Sequence, residues 1–250
     1  VDYALFMVWC FTVALAGGLV GLVLGNIRLP ATLLIASSAA AGTGANLIIS
    51  AAAAGTAAIA HLRAGRINWR LFAWMAPPSI AGAVAGGYLS GVLPRNALLA
   101  VIAAVLLYSS YDLARWTPPE RRPEVDGEPE LDIAAAVGAG AVIGFLGGVV
   151  GLILGSLRMP ALLKVVGEVP SRAAGTNLAV GFWVGIFGAL GHLPSAPPDW
   201  KVAGLGAAAS IPGALLGARL TGRLSEVQLV RAIAGVLLVA GIATAVEAVA

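Results

Sequence analysis

Arg28 and Arg158 stand 130 residues apart, each in the same apolar Gly-x-x-Arg-x-Pro setting. A guanidinium placed within a hydrocarbon layer costs at least about 2.5–3.5 kcal/mol on insertion scales, so each needs a partner or a wet cavity. Its planar fork of N–H donors suits small oxyanions. Two readings follow: the pair binds an anion, or each arginine snorkels to lipid headgroups and fixes a hairpin tip. Gly17, Gly18, Gly21 and Gly25 precede the first arginine, and Gly147, Gly148, Gly151 and Gly155 precede the second. Glycines at this density loosen a helix end, where unwound backbone offers N–H groups. Pro30 and Pro160 are expected to open new half-helices whose positive ends point the same way. Close helix packing explains the same glycines equally well.

A second matched element follows each proline. Gly42-Thr43-Gly44-Ala45-Asn46-Leu47 is answered by Ala174-Gly175-Thr176-Asn177-Leu178. An unpartnered amide in lipid is costly, so Asn46 and Asn177 either bind substrate or coupling ions, or hold a neighbouring broken helix. The candidate substrate site is therefore Arg28, Arg158, Gly25, Asn26, Gly155, Ser156, Asn46, Thr176 and Asn177. His61 and His192 stand at span ends, where interfacial placement is favoured over a proton relay. Glu168, Lys164 and Arg172 cluster in the second half only and read as a surface salt-bridge group. No nucleophile–base pair, metal-ligand cluster or phosphate loop is present, so no catalytic residue, metal or cofactor is expected and an enzyme is disfavoured. The single cysteine, Cys10, permits no intrachain disulfide.

The elements that carry these residues come in two copies. Gly17–Ala31 recurs as Gly147–Ala161, and a register of 131 then pairs Asn46 with Asn177, His61 with His192 and Trp69 with Trp200. Gly82, Ala83 and Gly86 pair in the same way with Gly213, Ala214 and Gly217, and read as small-residue contact faces between helices. With 59% hydrophobic and only 11% charged residues, the chain is no soluble domain. Apolar runs at 3–25, 70–91, 95–111, 133–155, 200–218 and 226–249 are mostly long enough to cross a bilayer. The first run lacks the basic head and cleavage-like end of a removable signal peptide.

Residues 114–131 form a polar, proline-broken linker between a first transmembrane repeat, 1–113, and a second, 132–250. The loop His61–Arg70 is basic, whereas its counterpart His192–Lys201 is nearly neutral, and the bias reverses one turn later in the repeat. The positive-inside rule then places the two loops on opposite sides. The expected fold is an all-α polytopic membrane protein with two inverted-topology repeats. Broken or re-entrant helices are expected near the midplane, with 31–44 and 160–168 as the short segments.

The combination resembles the TauE/SafE sulfite exporter family, also called the TSUP permeases. The resemblance rests on Gly151–Pro160 followed by Ala161-Leu162-Leu163, on Ala173–Leu178, on the basic loop Arg63–Trp69 and on the small-residue helix Gly213–Leu220. The chain departs from the family in its thinner glycine run and in Ala45, which stands where the repeat pairs with Thr176. What the resemblance implies is export or uptake of sulfur-containing anions such as sulfite, sulfonates or sulfoacetate-like compounds. The expected protein is a multi-pass transporter of the bacterial inner membrane that works by rocking its repeats about a central site. An anion channel is the competing class. The expected partners are a small anion and the lipid bilayer; a homo-oligomer is left open, and the dispersed positive charge argues against nucleic acid.

Overall fold

A computed structural model describes residues 2–89, 94–117, 132–192 and 197–249. Among them every regular element is helical. The first half runs α1 (Tyr3–Val20), α2 (Gly25–Ile35), α3 (Ala39–Arg63), α4 (Trp69–Tyr88) and α5 (Arg95–Ala114). The second runs α6 (Ile133–Val150), α7 (Gly155–Pro160), α8 (Pro170–His192), α9 (Trp200–Thr221) and α10 (Glu226–Val249). α7 continues into a π-helical turn, Ala161–Val166, which ends at Gly167. Among the described residues seven helices are long and apolar enough to cross a membrane: α1, α3, α5, α6, α8, α9 and α10. α4 is of similar length, but Pro77, Pro78 and Ser79 make it less apolar. Much of the polar linker, including residues 118–131, lies outside the described residues.

The helix starts repeat in register. Asp2 accepts the Ala4 N–H and Asp132 accepts the Ala135 N–H, opening α1 and α6. Asn68 accepts from Leu71 and Asp199 from Val202, opening α4 and α9. Each of these short polar side chains satisfies a backbone donor that the helix itself leaves free.

The helix breaks repeat too, but not where the prolines pointed. α1 stops at Val20, with Gly21 in the left-handed region at φ 72°, and α6 stops at Val150, with Gly151 also at φ 72°. The Leu22 N–H then returns to the Gly17 carbonyl at 2.8 Å, and the Leu152 N–H to the Gly147 carbonyl at 2.9 Å. This left-handed closure favours glycine, which has no Cβ to clash. The new helices open at Gly25 and Gly155, so Pro30 and Pro160 lie inside them rather than starting them. The short segments are accordingly 25–35 and 155–166, instead of 31–44 and 160–168. At about 1.5 Å per residue, neither is long enough to cross a hydrocarbon core of about 30 Å.

Packing exchanges helices between the halves. α1 lies along α9, and α6 lies along α4. Gly213 and Gly217 admit the backbone of α1 at Phe11 and Leu15, while Gly82 and Gly86 admit that of α6 at Ala141 and Phe145. Gly18 against Ala214 and Gly148 against Ala83 complete the two seams. α5 packs on α10 and α3 on α8, so each half's first helix is bedded on the other half's fourth.

Candidate functional site

The two breaks meet inside the bundle. Leu22–Leu24 and Leu152–Leu154 are buried, and a Cβ added at Gly155 would lie 3.2 Å from the backbone nitrogen of Val23. α3 and α8 flank this junction and bring Asn46 and Asn177 onto it. Asn46 donates to the Gly25 carbonyl at 3.1 Å. Asn177 donates to the Gly155 carbonyl at 3.0 Å and also to the Gly21 carbonyl at 2.8 Å, joining both breaks. Both amides thus hold broken backbone in place, and both also carry an arginine.

Arg28 is 2% exposed and Arg158 fully buried. Neither snorkels. Arg28 donates from Nε to Asn46 Oδ1 at 3.0 Å, and from Nη2 to the Asn46 carbonyl at 3.2 Å and to the Ser50 hydroxyl. Arg158 donates from Nη1 to Asn177 Oδ1 at 3.1 Å, while its Nε and Nη2 have no partner. A buried, unpaired guanidinium edge is expensive, and in a native structure it demands an explanation. Beside Arg28 and Ser50 lies a cavity of about 10 Å³, measured to the centre of a water molecule, against Gly17, Gly18, Val23 and Ala54. It has room for about one water.

The remaining candidates divide. Asn26 donates to Thr244 at 3.1 Å and more weakly to the Ala240 carbonyl, tying α2 to α10. Ser156, its repeat counterpart, is 1% exposed and its hydroxyl has no partner. Thr176 does not join the arginines: its hydroxyl accepts the Asn68 N–H at 2.9 Å, at the start of α4. Ser50 and Gly181 went unnoticed in the sequence. They lie one helical turn beyond Asn46 and Asn177, on the same face, and a mismatch at paired repeat positions was the available signal.

Two polar groups lie deeper than their sequence context suggests. His61 is fully buried near the end of α3. The side chain of His192 lies outside the described residues. Glu168 is also buried, so it is no surface group: it accepts from the Asn68 amide and the Val169 N–H, and pairs with Arg172 at 3.4 Å. Only Lys164 behaves as a surface charge, pairing with Asp112 at 2.9 Å. Asn68 comes from the other half of the chain, which is why the burial of Glu168 could not be seen locally.

This geometry can be set beside known proteins. The sequence profile described as "Sulfite exporter TauE/SafE" matches residues 6–244. The chain belongs to the TauE/SafE family. As a member it is a multi-pass membrane transporter, in keeping with its seven apolar spans. A relative, the "Probable membrane transporter protein YunE" of Bacillus subtilis (strain 168), is 22% identical over 226 residues. That alignment covers 82% of this chain and 81% of the relative. No solved structure matches this TauE/SafE chain.

Proposed function

We propose that this transporter carries small oxyanions, with sulfur-containing species such as sulfite and sulfonates as its class, at the junction of its two helix breaks. The observation that supports this most directly is the pair of buried guanidinium groups, one of which keeps two donor nitrogens unpaired. A fixed positive charge with open donors in a low-dielectric site attracts an anion more strongly than it would in water. The sulfur chemistry comes from the family to which the chain belongs. The geometry itself argues only for an oxyanion.

Alternating access fits this arrangement better than a channel. Both arginines are shut away from solvent, and the cavity beside Arg28 has room for about one water, whereas a conducting pore stays open to both sides. In the proposed topology the two repeats are inverted, which gives the junction equivalent routes to either face. The test is sulfite flux into proteoliposomes, with Arg158→Lys as the variant that keeps the charge but loses the fork. Saturable flux with counterflow, reduced at least about tenfold in the variant, is expected. Unchanged flux in the variant, or preference for cations or neutral solutes, would overturn the anion reading. Conductance far above carrier turnover would establish the channel.

A further inference from the structure

The repeat makes Arg28 and Arg158 equivalent in sequence, yet their surroundings differ at two paired positions. Ser50, which accepts from Arg28 Nη2, is replaced in the second half by Gly181. Thr244, which accepts from Asn26, is replaced in the first half by Leu113 at the paired position of α5. Each replacement removes a hydroxyl that would have served α7. The unpartnered Arg158 Nη2 and Ser156 Oγ match this loss, and Arg158 Nε is unpartnered as well because Asn177 Oδ1 takes Nη1 instead.

The identity of the free edge matters. In a guanidinium, the Nε–H and one Nη2–H point the same way, and together they grip two oxygens of a carboxylate or other oxyanion. On Arg28 that edge is occupied by Asn46 and Ser50, so the protein itself supplies the oxygens. On Arg158 the same edge is empty, and Asn177 holds the guanidinium from its other side, through Nη1.

We propose that the two halves have divided the work, with Arg28 a permanently satisfied structural tie and the Nε/Nη2 edge of Arg158 the single seat of the oxyanion. This rests on the anion-transport reading above and deepens it. Gly181 leaves α8 without the hydroxyl that Ser50 gives α3. A Cβ at 181 would meet Val23 Cγ2 at 2.8 Å, so that Val23 must shift, and Ile153 Cγ2 at an ordinary 3.8 Å. A serine there would return a hydroxyl to the paired position, where it would compete with an anion for Arg158 Nη2.

The decisive comparison is Gly181→Ser against Gly181→Ala and Ser50→Ala, with sulfite as the probe. Binding is read as sulfite-dependent thermal stabilisation of purified protein, and also as sulfite counterflow in proteoliposomes. Gly181→Ser is expected to weaken the apparent sulfite Kd at least about tenfold, the worth of one charge-assisted hydrogen bond lost to a competing hydroxyl. Gly181→Ala is expected to cost clearly less than Gly181→Ser, since a methyl crowds Val23 but offers no competing oxygen, and Ser50→Ala is expected to stay within about twofold of the parent, since it leaves the free edge of Arg158 untouched. Equal losses in Gly181→Ser and Gly181→Ala would show simple crowding and overturn the assignment. A loss in Ser50→Ala matching that in Gly181→Ser would make the two arginines equivalent and also overturn it, while leaving anion transport intact. A parent protein that neither binds nor moves sulfite or a small sulfonate would remove both the transport reading and the seat.

Discussion

The two glycine seams offer the most quantitative test of the fold. A Cβ added at Gly86 would overlap the carbonyl oxygen of Phe145, and one added at Gly217 would overlap that of Leu15. In each case the obstacle is helix backbone, which cannot turn aside as a side chain can. Restoring ordinary contact requires the two helices to part by about 1 Å, and overpacking of this kind costs about 1–3 kcal/mol. Gly87 on α4 and Gly204 on α9 are internal controls, because a Cβ at either would meet nothing within 4 Å. There Gly→Ala brings only the helix-propensity gain, about 0.8–1.0 kcal/mol in water. Gly86→Ala and Gly217→Ala should therefore each lower unfolding stability in detergent by about 1–3 kcal/mol, while Gly87→Ala and Gly204→Ala leave it equal or slightly higher. Denaturant titration of purified protein reads the difference. Equal stability of seam and control variants would refute the close backbone approach. A strong effect at one seam and none at the other would refute their equivalence.

Three further outcomes follow from particular contacts. Single cysteines at 65 and 197, placed in a Cys10→Ser background, should react with an impermeant thiol reagent from opposite sides of the membrane; labelling from the same side would end the inverted-repeat proposal. The Val202 N–H, with further help from that of Ser37, holds the Asp199 carboxylate below its ordinary range. Its contribution is therefore fully present above the ordinary carboxylate pKa and is lost as pH falls through the lowered value. Thermal melts from neutral pH into that acid range should show the parent's advantage over Asp199→Asn shrinking, and a gap that widens toward acid would contradict the contact. Glu168→Ala should cost about 1–3 kcal/mol by stranding the buried Asn68 amide, whereas Lys164→Ala should change stability by less than about 1 kcal/mol; denaturant midpoints decide between them, and equal effects would place Glu168 at the surface after all.

The repeat made the buried polar residues of the junction legible from the sequence alone. It paired Asn46 with Asn177 and Arg28 with Arg158, because a matched polar residue in an apolar copy needs a reason to persist. It pointed to the contact glycines by their spacing alone. The position of the breaks was not legible. Leu22-Val23-Leu24 and Leu152-Ile153-Leu154 are apolar and carry no turn chemistry, so Pro30 and Pro160 drew the boundary away from Gly21 and Gly151. Helix exchange was hidden for another reason: a small-residue face on α4 or α9 does not say which helix will use it. Glu168 and His61 show the same limit, since their burial depends on segments distant in sequence.

That exchange also changes which parts can move. A rocking of residues 2–117 against 132–249 would tear α1 from α9 and α6 from α4, the two seams where backbone meets backbone. Interfaces packed this closely are poor sliding surfaces, because small displacements already forfeit their contacts. Motion that preserves the seams instead carries α1 with α9 and α6 with α4, and bends the chain at Leu22–Leu24 and Leu152–Leu154. Thr221 donates to the Leu19 carbonyl at 2.8 Å, so the two residues touch across the first seam. A disulfide between Leu19→Cys and Thr221→Cys, in a Cys10→Ser background, should therefore leave sulfite counterflow within about twofold of the reduced protein, because it joins groups that stay together. Counterflow that stops on oxidation and returns on reduction would show that the seam opens during transport, and would restore rocking of the two sequence halves as the moving unit.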